Sequence, residues 1–392
     1  MKPVHPTIRH LVPLAAAVLL ALAIIPPQEA GADRTFSGPR APIVKTRKIA
    51  PGLTFIRIVR RQIPLRTFVL KIDLTKAITL DTTIADDALP SRRELSRIVR
   101  SHGALAGVNG DPGEGLGNTV HPFAQDGDLL HTAGPGAEMF AVSRDETRTF
   151  LGNPRLRVTV TDRSSDRVFT LDRWNQRAPE PGELIGYSPL GGTLAAPPSF
   201  SCAVRMLPEG PPRAADPDGV DRDYVVDEAS CSGSPLERSG GVVISTAPGT
   251  EESKQLLALT PGTPMRLHWT LGWPDVFDAV GGDPILLQDG APTSICASCA
   301  RQPRTGLGVT ADGKIILVVI DGRRPHWSRG ATLGELRSIL SDLGAVDALN
   351  LDGGGSSEMV VDGEVVNRPS DGRERHITNA VLVLPGPDPG EA

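Results

Sequence analysis

Alternating apolar and polar residues recur along the chain and predict many short strands. Residues Leu53–Arg60 and Thr67–Leu74 have this period of two, and Gln62–Arg66 supply the bend between them. Asp-Gly pairs favour tight hairpin turns, so we expect antiparallel hairpins throughout. The pairs occur at 126–127, 289–290, 312–313 and 362–363, and further strand-like runs at 157–161, 224–226, 241–245, 265–271, 315–320, 358–361 and 381–384.

Only two segments have the apolar spacing of convincing helices. Ser91–Glu94 and Thr332–Glu335 both have the sequence of a capping box, in which a hydroxyl and a glutamate satisfy the first backbone amides. Each predicted helix ends at a glycine, Gly103 or Gly344, where a left-handed C-cap needs no side chain.

The two helical segments continue into similar sequences. In each, a short apolar strand is followed by Asn-x-Asp in a turn: Asn109 and Asp111 in the first copy, Asn350 and Asp352 in the second. Helix–glycine–strand units have similar sequences in general, so several of the identical residues in the two segments could match by chance. The pattern nevertheless predicts a pseudo-repeat whose two polar corners face one cleft.

These elements predict an α+β fold, with one large domain of mostly antiparallel, mixed sheet and few helices. Residues 33–52 are interpreted as a loose leader and 53–385 as the domain. The segment 203–230 begins with a run rich in Pro, Asp and Arg, which indicates a peripheral loop insertion. We expect residues 386–392 to be a disordered tail.

The N-terminus has the order of a secretory signal peptide. Lys2 and Arg9 precede the apolar run Leu11–Ile25, and Ala30–Ala32 is a small-residue cleavage site. The run is shorter than the roughly 20 residues of a membrane span, although an uncleaved anchor remains an alternative. We therefore expect residues 1–32 to be removed near Ala32 and the mature protein to be secreted, outside the cytoplasm or in the cell envelope.

Composition excludes some classes of partner. The 392 residues include 41 Lys and Arg against 46 Asp and Glu, a formal net charge of −5, so the basic footprint of a nucleic-acid-binding protein is absent. Aromatic residues make up only 4%, which argues against stacking platforms for single strands.

Four cysteines fit an exported protein that can form disulfides. Pairing in sequence order, Cys202 with Cys231 and Cys296 with Cys299, is the preferred one of three connectivities. A single C-x-x-C is insufficient for the usual four-cysteine zinc site, and turn residues surround it, which disfavours a redox motif.

The densest polar sequence is 348–357, in which three glycines follow an apolar strand. Because Asn350 and Asp352 are two residues apart, both could project from one strand face into a cleft. The alternative is a glycine-rich turn in which Asp352 bonds its own backbone. Arg304 is a candidate anion clamp or a plain surface arginine, and Asp321 ends a buried strand or starts a turn.

Ordered motifs between 301 and 384 resemble the phosphodiester glycosidase family. The resemblance is strong in that region, recognisable from about 104 to 130 and vague between 150 and 270. Many relatives have aromatic residues after the first Asn-Gly block, where this chain has Pro112–Gly115, so its sugar specificity is expected to differ. The motifs are Pro303–Gly308, Val319–Arg323, Ser328–Gly330, Leu333–Glu335, Ala348–Ser357, Asn367–Gly372, Arg375 and Asn379–Ala380, with Gly107–Asp111 and Gly281–Pro284 upstream.

The resemblance implies hydrolysis at a sugar anomeric carbon that bears a phosphodiester. In this reading Arg304 and the amides of Gly353–Gly355 hold the phosphate, and Asp352 or Asp321 positions water or stabilises an oxocarbenium-like centre. The catalytic set is therefore Asp352, Asp321 and Arg304. The substrate-binding set is Asn109, Gly110, Asp111, Thr305, Asn350, Gly353, Gly354, Gly355, Ser356, Ser357, Arg375 and Asn379.

No cofactor is required by this reading, although a calcium or magnesium ion could bridge Asp111, Asp321 or Asp352 to the phosphate. The expected substrate is a sugar-1-phosphodiester or a phosphate-linked glycan of an envelope or capsule. Two alternatives stay open: a non-catalytic envelope glycan-binding protein with the same cleft, and a phosphodiesterase that cleaves P–O rather than C–O.

Overall fold

The computed structural model describes residues 41–114, 117–131, 137–176, 178–192, 200–210, 219–231 and 241–386. From Pro42 onward the chain forms one compact unit. The predicted signal peptide and residues 387–392 of the predicted tail lie outside the described residues. Within the described part, no helix is long and apolar enough to cross a membrane.

Strands dominate the structure, which confirms the α+β prediction. The three helices are α1 (Leu95–Ser101), α2 (Glu251–Leu257) and α3 (Leu333–Asp342), and short 3₁₀ turns span Pro189–Gly191 and Gly354–Ser356. The first fifteen strands are β1 (Ile43–Ala50), β2 (Leu53–Arg60), β3 (Leu65–Ile72), β4 (Ile78–Ile84), β5 (Arg93–Glu94), β6 (Ala106–Asn109), β7 (Gly113–Glu114), β8 (Asn118–Thr119), β9 (Phe123–Gln125), β10 (Asp128–His131), β11 (Glu138–Ser143), β12 (Thr149–Gly152), β13 (Arg157–Asp162), β14 (Arg167–Leu171) and β15 (Arg173–Trp174). The others are β16 (Ile185–Tyr187), β17 (Cys202–Pro208), β18 (Val220–Ser230), β19 (Val242–Thr246), β20 (Pro264–Thr270), β21 (Val276–Gly282), β22 (Ile285–Gln288), β23 (Ala291–Pro292), β24 (Arg304–Thr310), β25 (Ile315–Ile320), β26 (Ala345–Asn350), β27 (Met359–Val361), β28 (Glu364–Val365), β29 (His376–Ile377) and β30 (Asn379–Pro385).

Two antiparallel sheets form a sandwich with one helix on each outer face. Sheet I has the order β1-β2-β3-β25-β24-β26-β22-β23, and sheet II has the order β28-β27-β6-β30-β4. Alternate residues of β25 and β30 belong to the core cluster that joins the two sheets, and their neighbours pack outward against the helices. The apolar side of α3 covers sheet I, and that of α1 covers sheet II.

A second core lies in the other half of the domain. Sheet III (β10-β9-β21-β11-β12) and sheet IV (β14-β13-β20-β18-β17-β19-β16-β15) contribute to one cluster that includes Val160, Trp174 and Trp269. Among the described strands, β15 and β16 of sheet IV form the one parallel pair. These sheets form a body beside the sandwich, and the sandwich itself carries the two predicted Asn-x-Asp corners.

The two helix–strand units have the predicted order but occupy different sheets. The first, α1 and β6, belongs to sheet II and ends at Asn109, and the second, α3 and β26, belongs to sheet I and ends at Asn350. Gly103 and Gly344 have positive φ angles of 65° and 106°, as a left-handed helix ending requires. The sequence repeat therefore corresponds to one unit on each side of the sandwich.

Only the second predicted capping box forms. Thr332 accepts from the amide of Glu335 at 3.1 Å, and the Glu335 carboxylate accepts from the amide of Thr332 at 2.9 Å. The first box is wrong, because the Ser91 hydroxyl instead accepts from the amide of Asp86 at 2.6 Å. Helix α1 has no side-chain cap from its preceding residue, Glu94.

Two boundary predictions also need correction. The stretch 33–52, expected to be a leader, contains β1, which pairs along its length with β2 at the edge of sheet I. The segment 203–230, expected to be a loop insertion, contains most of β17 and all of β18, which pair with each other inside sheet IV. Charged residues interrupt both stretches, and one side of a strand in an antiparallel sheet tolerates them well.

The predicted turns and disulfides are present. Asp and Gly of the 126–127, 289–290 and 362–363 pairs all have positive φ, the conformation of a tight hairpin turn. Cys202 is bonded to Cys231 and Cys296 to Cys299, so pairing in sequence order is confirmed. Helix α2 was not predicted; its seven residues begin after Thr250, whose hydroxyl accepts from the amide of Ser253.

Candidate active site

A charged cleft opens where both helix–strand units end. Its volume is about 900 Å³, and its walls come from 109–113 after β6, from Asp352 and Ser356 after β26, and from 371–378 before β30. Arg92 and Glu94, ahead of α1, complete the rim. Carboxylates, guanidinium groups and an imidazole face the same space, so the cleft suits a polar, charged ligand.

The two Asn-x-Asp corners meet directly at this cleft. The amide of Asp352 donates to the carbonyl of Gly110 at 3.0 Å, and the side-chain amide of Asn109 donates to the carbonyl of Asp352 at 2.7 Å. These bonds join residues about 240 positions apart in sequence, and each connects one sheet to the other. The end of the first unit therefore fixes the backbone of the second.

Asn109 holds the corners together and has little capacity left for a ligand. Its side-chain oxygen accepts from the Thr305 hydroxyl at 2.8 Å and from the amide of Glu358 at 3.1 Å. Both Asn109 and Thr305 are buried, at 1% and 0% exposure. These two predicted substrate-binding residues therefore tie β6 to β24 instead of presenting free polar groups.

Asp111 is also occupied by the protein. One carboxylate oxygen accepts from the amides of Val120 and His121 at 2.8 and 2.9 Å, and the other pairs with the His121 imidazole. Burial raises the pKa of Asp111, and the bonds to His121 oppose that shift. Asn379 holds the Asp111 backbone, since its side chain accepts from the amide at 2.7 Å and donates to the carbonyl at 3.3 Å.

Gly110 is required by this close packing. A Cβ atom at position 110 would lie 2.2 Å from the side-chain oxygen of Asn379. The three predicted residues Gly110, Asp111 and Asn379 thus form one rigid corner, and their polar groups are satisfied by each other and by His121.

Asp352 differs from Asp111 because its side chain is half-buried and faces the cleft. Burial raises the pKa of Asp352, and contacts with Ser356, the backbone of Gly353 and the positive charge of Arg375 partly offset this. The nearby charge of Asp111 raises the pKa further. Asp352 is therefore a carboxylate with a tuned pKa, a cation beside it and access to a ligand.

Arg375 lies against the glycine-rich turn that follows Asp352. Its guanidinium donates to one oxygen of Asp371 at 2.9 and 2.6 Å and lies 3.5 Å from the Ser356 hydroxyl. A Cβ atom at Gly355 would be only 2.0 Å from the guanidinium, so glycine is needed for the arginine to approach the turn. This arrangement places a half-exposed guanidinium in the same cleft as Asp352.

Two of the three glycine amides expected to hold a phosphate are bonded within the protein. The amide of Gly354 donates to the carbonyl of Pro303 at 3.0 Å, and the backbone of Gly353 bonds the Asp352 carboxylate. Ser357 is buried, and its hydroxyl has no partner among the described residues. The turn therefore positions Asp352 and Arg375, while side chains line the open space.

Arg304 lies outside the cleft. Its guanidinium donates to the carbonyls of Ala331 and Ala300 at 3.2 and 3.1 Å, and burial lowers its pKa. It thereby fastens the start of β24 to the segments on either side. The cleft is lined instead by Arg375, which the sequence had placed only in the binding set, and by Arg92 and Arg373.

Asp321 is likewise absent from the cleft lining and is fully bonded. Its carboxylate accepts from the Trp327 indole at 2.7 Å, from the Asn367 side chain at 3.1 Å and from the amide of Arg368 at 2.9 Å. Burial raises its pKa, and those same donors oppose the shift. Asp321 thus joins two loops, and of the two candidate aspartates Asp352 is the one among the residues that line the cleft.

The side chain of Asn350 contacts a different segment of the chain from the one that Asn109 contacts. Its side-chain amide donates to the carbonyl of Asp283 at 2.7 Å, and its backbone bonds Asp283 and Pro284. The side-chain oxygen is buried without a hydrogen-bond partner among the described residues. The middle motif Gly281–Pro284 therefore clamps the end of β26, and Asn350 is not among the residues that line the cleft.

Sequence reasoning missed a group of glutamates behind the cleft. Glu358 is fully buried, and burial together with Glu374 and Glu94 raises its pKa to about 9, so it carries a proton at neutral pH. Glu374 lines the cleft and accepts from the amide of Ser96 at 3.0 Å, at the start of α1. The only sequence signal was a glutamate at the first position of the apolar run 358–361.

The three aspartates proposed as metal ligands do not converge. Asp111 and Asp321 are bonded to separate sets of protein donors, as described above. Among the residues that the structure describes, no group of three or more His, Cys, Asp or Glu side chains has the geometry to hold a metal ion. These three aspartates therefore do not form a shared calcium or magnesium site among the described residues.

The comparison with protein families bears on the second half of the chain. Residues 220–384 match the family model of the phosphodiester glycosidases. The resemblance drawn from the motifs is thereby confirmed, and the matched region includes Asp352, Arg375 and the glycine-rich turn.

Curated proteins match a shorter stretch. The chain is 35% identical over 83 residues to the SPbeta prophage-derived uncharacterized protein YomE of Bacillus subtilis. It is 40% identical over 68 residues to the mouse N-acetylglucosamine-1-phosphodiester alpha-N-acetylglucosaminidase. These alignments cover 21% and 17% of this chain and 13% of each relative's length.

Solved structures with the same fold cover most of the chain. A hypothetical protein from Synechocystis has a TM-score of 0.65 at 20% identity, over 88% of this chain and 64% of that one. A putative exported protein from Burkholderia pseudomallei has a TM-score of 0.58 at 24% identity, over 82% of this chain and 74% of that one. At these identities the likeness concerns the fold alone.

Proposed function

We propose that this protein is a secreted glycosidase that hydrolyses the bond between a sugar anomeric carbon and a phosphodiester. The observation that carries the proposal is that Asp352, at the start of the glycine-rich turn, and Arg375, which packs against that turn, line the same open cleft. Both residues lie in the region that matches the phosphodiester glycosidase family model. A carboxylate and a guanidinium side by side are the groups that an anomeric centre and a phosphate require.

Arg375 is the proposed phosphate ligand. Asp371 and Ser356 fix its orientation and leave the guanidinium half-exposed toward the cleft. Arg373 and Arg92 also line the cleft and add positive charge around the same space. A preorganised guanidinium stabilises the negative charge that develops on the leaving phosphate oxygen, and burial from bulk water strengthens the effect.

Asp352 is the proposed carboxylate at the anomeric carbon. As the C1–O bond breaks, its electron pair leaves with the phosphate oxygen, and the carboxylate stabilises the positive charge on the sugar ring. A water molecule then attacks C1 and gives up one proton, which Asp352 accepts or passes to solvent. The products are a free sugar and a phosphomonoester. Because such a phosphate leaves with little need for protonation, one carboxylate is sufficient.

Export and the substrate class follow from separate observations. The N-terminal sequence pattern and the two disulfides are compatible with a protein outside the cytoplasm. In that location a phosphate-linked glycan of a capsule or envelope is the substrate we propose. The altered segment after Asp111 forms part of the cleft wall at Pro112 and Gly113, which lack the aromatic surface on which a sugar ring could stack.

The direct test is hydrolysis of a sugar-1-phosphodiester in oxygen-18 water. The proposal predicts free sugar as the product, with the label in the sugar and none in the phosphate. Asp352→Asn and Arg375→Gln should each remove this activity, and Asp342→Asn, at the exposed end of α3, is the matched control. Label in the phosphate would show P–O cleavage and contradict the glycosidase mechanism.

A glycan-binding protein with the same cleft is the alternative. In that case wild type would bind the phosphodiester, Arg375→Gln would weaken binding, and no sugar would be released at any enzyme concentration. Calorimetry on the same preparation used in the hydrolysis assay separates the two functions.

A further inference from the structure

A second concave surface lies on the edge of sheet I, away from the residues that line the cleft. It is a groove of about 260 Å³ between the β1–β2–β3 strands and the loop that carries Trp327. We call it the basic groove and define it by the residues Lys45, Arg57, Arg60, Arg61, Arg66 and Trp327. Five positive charges in one groove contrast with the formal net charge of −5 of the whole chain.

Within the described part of the chain, no carboxylate pairs directly with the cations of this groove. None of the five cations has an ion-pair partner within 4.0 Å among the residues that the structure describes. Asp321 lowers the local charge only from a distance, since its oxygens already accept from Trp327, Asn367 and Arg368. The positive charge therefore faces outward without compensation.

The strand register makes this arrangement costly. Lys45 on β1 lies directly opposite Arg57 on β2, and Val59, two residues on, lies opposite Arg66 on β3. Directly opposed like charges destabilise a sheet, so a ligand of opposite charge would relieve the repulsion. The pKa of Arg66 is lowered by burial first and then by the charges of Arg57 and Arg61, which reflects the same crowding.

Two guanidinium groups also have unused donors. The Nε atoms of Arg57 and Arg66 are both buried, and neither has a hydrogen-bond partner among the described residues. The Arg66 guanidinium is stacked on Trp327, 3.4 Å from the ring centroid, which holds it flat and leaves its edge for bidentate bonds. Planar guanidinium edges match phosphate oxygens better than they match any other common anion except carboxylate.

A structural path connects the basic groove with the cleft. Trp327 bonds Asp321, which in turn holds Asn367 and the amide of Arg368. The Arg368 guanidinium also lies 5.4 Å from the Trp327 ring, and the chain continues from there to Asp371 at the cleft wall. The segment 367–371, with Arg368 at the groove end and Asp371 at the cleft end, thus connects the two surfaces.

We propose that the basic groove binds a polyanionic polymer with repeating phosphates, so that it retains a phosphate-linked glycan while one linkage occupies the cleft. The identity of the polymer as a glycan rests on the proposed function; the affinity of the groove for a phosphate chain does not. A linear polymer suits a narrow groove of this volume, whereas a membrane surface or a folded nucleic acid requires a broad convex or flat basic face.

The binding experiment uses the full chain and long-chain inorganic polyphosphate as the probe. The groove variant is Arg57→Gln/Arg60→Gln/Arg61→Gln, and the matched control is Arg100→Gln/Arg157→Gln/Arg167→Gln, which removes the same charge from exposed arginines elsewhere. The groove variant should bind about ten-fold or more weakly at 0.1 M salt, with a salt dependence shallower by roughly two to three ions. Equal affinity of the two variants would overturn the proposal.

A second arm tests the link to catalysis. With a phosphodiester-linked polymer the groove variant should have a raised KM and an unchanged kcat, while hydrolysis of a short sugar-1-phosphodiester stays at the wild-type rate. An equal loss on short and long substrates would contradict a role for the groove in polymer retention. Absence of any turnover by wild type, with the polyphosphate result intact, would reject the proposed function and leave the groove site standing.

Anionic vesicles containing phosphatidylglycerol provide the competing ligand. The proposal predicts that wild type and groove variant bind them equally weakly. Strong vesicle binding that the groove variant loses, without a matching loss for polyphosphate, would assign the groove to a membrane instead. Thermal unfolding of both triple variants checks that the fold is retained.

Discussion

The two Asn-x-Asp corners have the same sequence pattern and the same place in a helix–strand unit, but they are used differently. In the first corner Asn109 and Asp111 are buried and bonded to Thr305, Glu358 and His121. In the second, Asn350 clamps Asp283 while Asp352 faces the cleft beside a cation. The repeat thus supplies one corner that builds the site and one that carries the proposed chemistry.

Substitution of the two aspartates should separate these roles most strongly. Asp352→Asn should lower kcat on a sugar-1-phosphodiester about 1000-fold, because it removes the charge at the anomeric centre, with little change in stability. Asp111→Asn should cost about 3 kcal/mol of unfolding free energy, since it replaces a buried acceptor of three hydrogen bonds. Turnover by the folded fraction should remain within about ten-fold of wild type. Urea titration and steady-state kinetics measure both, and a reversal of the pattern would refute the comparison.

The two arginines offer a second contrast. Arg375→Gln should lower kcat/KM about 100-fold through loss of phosphate stabilisation. Arg304→Gln should cost about 1 kcal/mol of stability by removing bonds to the carbonyls of Ala331 and Ala300, with kcat/KM within about two-fold of wild type. A loss of activity in Arg304→Gln as large as in Arg375→Gln would indicate that the phosphate binds at Arg304, as the sequence predicted.

The two asparagines should differ in stability. Asn109→Ala removes three hydrogen bonds that join the sheets and should cost about 2–3 kcal/mol of unfolding free energy. Asn350→Ala removes one bond and an unpartnered buried oxygen, and should cost about 1 kcal/mol or less. Chemical denaturation measures both variants. Equal losses of unfolding free energy would contradict the view that the first corner contributes more to stability than the second.

Much of the fold could be predicted because its signals are local. Period-two runs matched the strands β2 and β3, and the Thr332–Glu335 box begins α3. The first capping box was wrong because Arg93 and Glu94 instead form a strand that pairs with His376 and Ile377, which are distant in sequence. The exposed edge strand β1 has no alternation of apolar and polar residues, and its pairing with β2 is not visible locally.

The location of the site could be predicted from the sequence, but the directions of its side chains could not. The repeat indicated that the corners would meet, and the structure has the Asn109–Asp352 bond between them. Side-chain direction could not be read from sequence, since the carbonyls of Ala300 and Ala331 draw Arg304 away from the cleft. Asp321 was equally ambiguous, because its three donors come from loops whose approach depends on tertiary packing.

Glu358, which lies beside the first corner, makes the stability of the protein depend on pH. Its pKa is raised from 4.5 to about 9, so the folded protein retains a proton that the unfolded chain loses above pH 4.5. Stability should therefore fall as pH rises from about 5 toward 9. Glu358→Gln should remove that part of the slope and be more stable than wild type at pH 8. Identical slopes in urea titrations at pH 5 and pH 8 would show that Glu358 is ionised in the folded state.

A crystal of the Asp352→Asn variant soaked with a sugar-1-phosphodiester tests the central claim most directly. The account predicts a phosphate bonded to Arg375 and an anomeric carbon facing the side chain at position 352. Density for the phosphate beside Arg304, or for a sugar only outside the cleft, would contradict it.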